Sequence, residues 1–231
     1  MNSSGFEVHS SISVARLIAI HDAIKHLGHK LGAKDVQTID DAWFNLDRIR
    51  AAQLYNAMKR HPLLYTLAAD LAPTDHAVVD INFRIDAPGE DKFLFDWHQD
   101  VWYSMCSTNA VVAWIPLVTT DDELGGVELV PGPNRIYRAR RGKLPYSSYA
   151  NAVVLDEEVD VSKAVRPHVN AGEVLFFRFN VLHRSVPNVA DHRCRWTVQV
   201  RYCSYDDPQF RDHNFKPGIV TENYVSYLDD K

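Results

Sequence analysis

Residues 77–85 read AVVDINFRI, and at this point the chain changes texture. From here to residue 205 it is a succession of short β-branched and aromatic runs: FLFDWH at 93–98, NAVVAWIPL at 109–117, GVELV at 126–130, AVRPHV at 164–169, EVLFFRF at 173–179 and CRWTVQVRYCSY at 194–205. Pro-Gly, Gly-Gly and Asn-Ala-Gly turns punctuate them. Short strands in this number predict a sandwich or a jelly roll.

Upstream the period is helical. In residues 10–32, Ile12, Leu17, Ile20, Ile24 and Leu27 recur on one face, serines at the start can cap, and Gly32 marks the end. Further helices are predicted over 45–60 and over 62–72, where Pro62 suits a first turn. Without an internal repeat or a clear linker, the economical reading is one domain. It comprises a helical N-terminal layer (1–73) packed on a mainly β core (77–205), followed by a C-terminal extension (206–231).

The 231 residues are 46% hydrophobic and 11% aromatic, which suits a globular core. A net charge of −5 lacks the basic excess that nucleic-acid binding leaves in a composition. The N-terminus MNSSGFEVHS has no signal-peptide pattern, and the longest apolar run, AVVAWIPLV at 110–118, is too short to span a bilayer. A soluble, cytoplasmic protein with a small-molecule substrate and neither nucleic-acid nor membrane partner is expected; no residue pattern marks an oligomeric state. Cys106, Cys194 and Cys203 form no C-x-x-C pair and no even framework, as expected of core thiols in a reducing compartment.

The chemistry concentrates in FDWHQDVWY, residues 95–103. His98 and Asp100 stand two apart among large rings, where burying a polar group unpaired costs roughly 2–7 kcal/mol and a charge more, so a neutralising partner is required. At a strand end, the period of two puts both on one face, within reach of a single ion. His183 in FFRFNVLHRSVPN, directly after the most apolar run, is the best-placed second imidazole; His168 in AVRPHVNAGE is its rival. Two imidazoles and one carboxylate with open positions suit non-haem Fe(II). An isolated H-x-D is common by chance in a chain with eleven histidines, and Trp97, Trp102 and Tyr103 read equally as cross-strand packing.

Five segments together carry more weight. DWHQDVWY, NAVVAWIPL, GGVELVPGPN, AGEVLFFRFNVLHRSVPN and RWTVQVRY, in this order and spacing across 77–205, resemble the phytanoyl-CoA dioxygenase family of Fe(II)/2-oxoglutarate oxygenases. The resemblance implies a double-stranded β-helix, a cupin-like jelly roll, in which His98, Asp100 and His183 hold Fe(II) and 2-oxoglutarate chelates it. With O2 as oxidant, a small polar or anionic metabolite is then hydroxylated with release of succinate and CO2, and no catalytic residue beyond the metal site is needed. The far carboxylate of 2-oxoglutarate calls for a cation. Arg193 and Arg195 project to one side of their strand together with Thr197, Gln199 and Arg201. The family pattern of arginine followed two residues later by a hydroxyl selects Arg195, with Thr197. Arg201 reads equally as part of a solvated face.

Similarity also places Gln99, Trp114 and Ser185 in the cosubstrate pocket. Trp102 and the basic stretch NRIYRARRGK, with Arg138, Arg140 and Arg141, are candidates for contact with substrate, segment 135–164 then acting as a lid; the stretch reads otherwise as a solvated loop. The chain departs from the family at Pro131-Gly132-Pro133-Asn134, where members often carry Pro-Gly-Ser-His. The C-terminus is no peroxisomal signal, so acyl-CoA activity is not carried over. Asp100 argues against a halogenase. The alternative from another class is a metal-containing β-barrel that binds a small ligand without oxidising it.

Overall fold

The structure, a computed structural model, describes residues 4–90, 94–102, 107–132, 135–137, 139–143, 150–154, 160–212, 214–216 and 227–228; for residues 102, 139–143, 150–154 and 227–228 it describes the backbone alone. Its elements in chain order are β1 (Phe6–Ser10), α1 (Val14–Lys30), α2 (Ile39–Phe44), α3 (Arg48–Lys59), α4 (Pro62–Asp70), β2 (His76–Asp86), β3 (Ala110–Pro116), β4 (Gly126–Val130), β5 (Ala139–Lys143), β6 (Ala150–Val154), β7 (Glu173–Arg178), β8 (Leu182–Val186), β9 (Arg195–Ser204), α5 (Pro208–Asp212) and β10 (Tyr227–Leu228).

The helices α1 to α4 begin at Ser13, Thr38, Asp47 and His61, whose side chains accept from backbone N–H groups of the first turn that would otherwise lack partners. Three of them follow the apolar spacing. The fourth, α2, has only six residues, too few for periodicity to register, and its mark is the reciprocal capping of Thr38 and Asp41. The strand β1 is likewise not foreseen: it pairs antiparallel with β7 as an edge strand.

A five-stranded antiparallel sheet in the order β1-β7-β3-β9-β2 forms the backbone of the fold, with β4 and β8 paired separately. On one side of the large sheet, Phe83 and Ile85 of β2 and Trp196, Val198 and Val200 of β9 share a core with Ile20 and Ile24 of α1, Leu54 and Met58 of α3, and Leu64 and Leu67 of α4. On the other side, Val112 and Trp114 of β3 and Leu175 and Phe177 of β7 pack with Val127 and Leu129 of β4. Cys194 and Cys203 are buried.

Two expected strands differ. AVRPHV forms none: Val165 alone bridges Leu129, and Pro167 has no N–H to extend a ladder. In FLFDWH, the described part, 94–98, runs irregularly beside β8, joined by a bridge between His98 and His183 and by a hydrogen bond from Ser185 N to Phe95 O. His183 is the second residue of β8 and so lies within a strand, where the sequence suggests a position just after one.

Candidate functional site

The bridge between the segment ending at His98 and β8 sets two imidazoles side by side, their ring centroids 4.1 Å apart. Each ring is pinned by the backbone carbonyl two residues before it: His98 Nδ1 donates to Asp96 O at 2.7 Å and His183 Nδ1 to Val181 O at 2.9 Å. A carbonyl only accepts, so Nδ1 carries the proton and Nε2 keeps its lone pair. Both Nε2 atoms face Asp100 Oδ1, at 3.7 Å from His98 and 3.9 Å from His183. One ligand atom from each of the three residues lies within 4.8 Å of the others, and all three residues are buried.

The protonation states suit a cation. Burial, reinforced by His183, drives the pKa of His98 down to about 3, and burial lowers that of His183, so both are neutral at pH 7. Burial alone would raise the Asp100 carboxyl, but Arg201 and the two histidines outweigh it and hold it at about 2. Asp100 Oδ1 is buried without a hydrogen-bond partner, an arrangement that is costly unless an ion takes the place of one. Two neutral imidazoles, one ionised carboxylate and that oxygen fit a divalent metal of the non-haem iron type.

Behind Asp100 stands Arg201, which donates through Nε to Asp100 Oδ2 and through Nη1 to Asp80 Oδ2, both at 2.9 Å. It belongs to a ladder on the face of β2 and β9 opposite the helical core. The register places Asp80 opposite Arg201, Asn82 opposite Gln199, Arg84 opposite Thr197, and Asp86 opposite Arg195. A cavity of about 200 Å³ opens over the first three rungs and the imidazoles, lined by Asp80, Asn82, Arg84, Gln199 and Arg201, with Phe95, Trp114 and Phe177 as dry walls and Arg184 and Ser185 beyond them.

The residues singled out from the sequence fall into separate groups. His98, Asp100 and His183 come together; His168 is exposed. Trp114 and Ser185 line the cavity. Thr197 is fully buried on the ladder, and its Oγ1 has no hydrogen-bond partner.

Gln99, expected to face the cosubstrate, is fully buried and donates through Nε2 to Arg135 O and Asn180 O while Oε1 accepts from Tyr137 N; it is not among the residues lining the cavity. Arg195, expected to meet the cosubstrate carboxylate, is not among the lining residues. Its Nε and Nη2 donate to Asp86 Oδ2, and its Nη1 donates to the carbonyls of Leu124 and Val186. The close approach to Leu124 and Val186 passes over Gly125, at φ +67°, where a Cβ would meet the carbonyl oxygens of Val186 and Pro187. Arg193 reaches outward to Asp121 and Glu123. Arg138 lies outside the described residues, as do the side chains of Trp102, Arg140 and Arg141.

The contact of Arg201 with Asp100, and its support from Asp80, are what sequence reasoning missed. The available signal was the alternation in HAVVDINFRID: Asp80, Asn82, Arg84 and Asp86 take every second position, as do Arg195, Thr197, Gln199 and Arg201 in β9.

With this geometry in place, similarity to known proteins decides the family. The family model of phytanoyl-CoA dioxygenase matches residues 29–195. The chain belongs to that family. It is accordingly a non-haem iron oxygenase that depends on 2-oxoglutarate, with iron and 2-oxoglutarate as its cofactors. Among solved structures, EvdO2 from Micromonospora carbonacea var. aurantiaca complexed with 2-oxoglutarate is similar at a TM-score of 0.58 and 15% identity, over 97% of this chain and 94% of that one. The carbocyclase SnoK from nogalamycin biosynthesis, described as α-ketoglutarate dependent, is similar at 0.51 and 19%, over 96% and 90%. The epimerase SnoN in complex with Fe3+, α-ketoglutarate and nogalamycin RO is similar at 0.52 and 14%, over 97% and 90%. At these identities the likeness is one of fold. Among the described residues no helix is long and apolar enough to cross a membrane.

Proposed function

We propose that this oxygenase hydroxylates a small, polar or anionic metabolite, with His98 Nε2, His183 Nε2 and Asp100 Oδ1 holding the iron. The observation that carries the reading is the orphaned Asp100 Oδ1, buried and aimed between two imidazoles whose lone pairs converge on it. The fold reading belongs here too: the five-stranded sheet and the pair β4–β8 are the two faces of a double-stranded β-helix, and helices α1 to α4 form the layer outside it. The similar structures, a carbocyclase and an epimerase of nogalamycin biosynthesis among them, support a small-molecule substrate.

Fe(II) with bound 2-oxoglutarate supplies the oxygen chemistry, in which decarboxylation of the cosubstrate to succinate and CO2 is coupled to hydroxylation of the substrate. The protein's part is holding and shielding. His98 and His183 are held in one tautomer by the carbonyls of Asp96 and Val181, which keeps Nε2 ready without a proton to displace. Arg201 fixes the rotation of Asp100. Trp114, Phe95 and Phe177 keep water from the cavity wall. Asn82, Gln199, Ser185 and Arg184 present the polar contacts by which a small polar substrate is oriented.

The test is anaerobic addition of Fe(II) and 2-oxoglutarate, which should produce the weak visible charge-transfer band of the chelate, followed by a metabolite panel read as substrate-stimulated succinate. A protein that binds iron but shows neither band nor succinate would be the non-oxidising binding module instead.

A further inference from the structure

Away from the metal cluster, the C-terminal end of β7 carries polar groups that the oxygenase chemistry does not use. Val174 and Phe176 pack toward the helical core, so alternation puts Arg178, the last residue of the strand, on that face too. Phe177 points the opposite way and meets the His183 ring at 4.8 Å. Two hollows meet at the arginine, since Arg178 and Asn109 line both. One is a groove of about 530 Å³ walled by Leu71, Pro73, Val111 and Phe176, with the rings of His9 and His76. The other, of about 280 Å³, is walled by Ala110, Ile136 and Phe179 and includes Asn180.

Arg178 is half-buried, and no acid among the described residues pairs with it. The acids of the groove are engaged elsewhere, Glu7 with His9 at 3.0 Å and Asp70 with Arg16 at 2.6 Å. Asn180 is 7% exposed, yet its Oδ1 has no hydrogen-bond partner. One tight turn presents both side chains: Val181 N donates to Arg178 O at 2.9 Å and Phe179 N to Ala110 O at 3.1 Å. Its next three carbonyls are also taken, Phe179 O by Asp100 N, Asn180 O by Gln99 Nε2 and Val181 O by His183 Nδ1. The backbone of the turn thus serves the metal ligands, and the side chains of Arg178 and Asn180 stand preorganised for another partner.

We propose that Arg178 and Asn180 form a second ligand site, which takes a small monocarboxylate with a hydrogen-bond donor on the adjacent carbon and an apolar body. The guanidinium receives the carboxylate, Asn180 Oδ1 accepts from the hydroxyl or ammonium beside it, and the body lies in the groove against Phe176 and Val111. A single guanidinium in a groove that also carries Glu7 and Asp70 favours one negative charge over a phosphate dianion. The site does not depend on the oxygenase reading.

Calorimetric titration of the full-length, metal-free protein tests it, because no ion is then present to chelate the probes. The probes are phenyllactate and phenylalanine, phenylpropanoate, which lacks the donor, and phenyllactamide, which lacks the charge. Phenyllactate or phenylalanine should bind at roughly millimolar Kd or tighter, the stronger of the two identifying the donor as hydroxyl or ammonium. Phenylpropanoate should bind about fivefold more weakly and phenyllactamide about tenfold. Arg178→Met should erase the preference for carboxylate over amide. Asn180→Ala should erase the preference over phenylpropanoate and melt close to wild type, since Oδ1 bonds nothing in the unliganded fold. Mn(II) affinity, measured apart, should stay within about twofold in both variants, because the turn serves the metal ligands through its carbonyls. Absence of saturable binding overturns the assignment, as do preferences that survive the two substitutions, a parallel loss of Mn(II) affinity, or displacement of phenyllactate by inorganic phosphate.

Discussion

Arg201 donates through Nε to Asp100 Oδ2 at 2.9 Å, so the carboxylate turns its other oxygen toward His98 and His183. The same guanidinium is held from behind by Asp80, and the two carboxylates keep its pKa above the ordinary arginine value despite burial. The orientation of a ligand at the metal position is thus fixed from β2, through β9, before any ion binds.

Removing that support should loosen the metal. Partners of this kind typically account for 10–100-fold in metal affinity, so Arg201→Ala should weaken Mn(II) or Fe(II) binding by about that factor, with Arg201→Lys retaining part. Competition against a chelator of known affinity reads it directly. Unchanged affinity in Arg201→Ala would show that Asp100 holds its rotamer without help.

The three proposed ligands give a sharper test in two parts. Alanine at His98, Asp100 or His183 should abolish tight metal binding, whereas His168→Ala should not change it, since His168 is exposed and outside the cluster. The pH dependence follows from burial, which holds His98 near a pKa of 3 and lowers His183. Between their ordinary value of 6.5 and the folded values, the unfolded chain binds more protons than the fold. Stability from these two residues is therefore complete above pH 6.5 and drains as pH falls, for His98 down to about 3. A metal meets little proton competition from His98 down to about pH 4, so His98 should add almost no pH dependence to the affinity of the folded protein from pH 8 to 6. A tenfold drop over that range would mean that the imidazoles are more exposed than the geometry places them.

What was legible in the sequence was local. Periodicity found α1, α3 and α4 because each carries several turns of apolar spacing, and the parity of His98 and Asp100 put both on one side of an extended segment. Long-range choices were not legible. Arg201 and Arg195 share a strand face, and alternation alone does not say which layer covers that face or where along it the metal lies. Only pairing with β2 resolves it, because Asp80 and Asp86 then stand opposite Arg201 and Arg195 and show the face to be interior. Gln99 shows the same limit, since its backbone partners Arg135, Tyr137 and Asn180 lie far from it along the chain.

Gln99 has a structural duty that can be measured. Its amide ties three backbone groups, Arg135 O, Asn180 O and Tyr137 N, and is fully buried. Gln99→Leu removes all three hydrogen bonds, at a cost of about 1–3 kcal/mol. The melting temperature should fall accordingly, and the amide of Tyr137 should exchange with deuterium markedly faster. If exchange at Tyr137 is unchanged, segment 135–137 is anchored by other contacts.

Helix α2 is fastened to β9 by a half-buried acid whose titration has the reverse sign. Asp40 in α2 accepts through one oxygen, Oδ1, from Trp196 Nε1 at 2.7 Å and from Cys194 N at 3.1 Å. Burial raises its pKa above the ordinary 3.8, and those two hydrogen bonds only partly offset the effect. A carboxyl whose folded pKa lies above its unfolded value favours the fold when protonated. Its contribution is therefore fully present below pH 3.8 and is lost as pH rises through the folded value. Asparagine offers a carbonyl oxygen to the same two donors without the charge. Asp40→Asn should melt no lower than wild type at pH 7, and the difference between the two should shrink as pH is lowered toward 4. Asp40→Ala, which leaves the Trp196 N–H and the Cys194 N–H without an acceptor, should lose about 1–3 kcal/mol. Thermal melts of the three proteins between pH 4 and 8 decide the matter. An Asp40→Asn variant clearly less stable than wild type at pH 7 would show that the negative charge itself fastens α2 to β9.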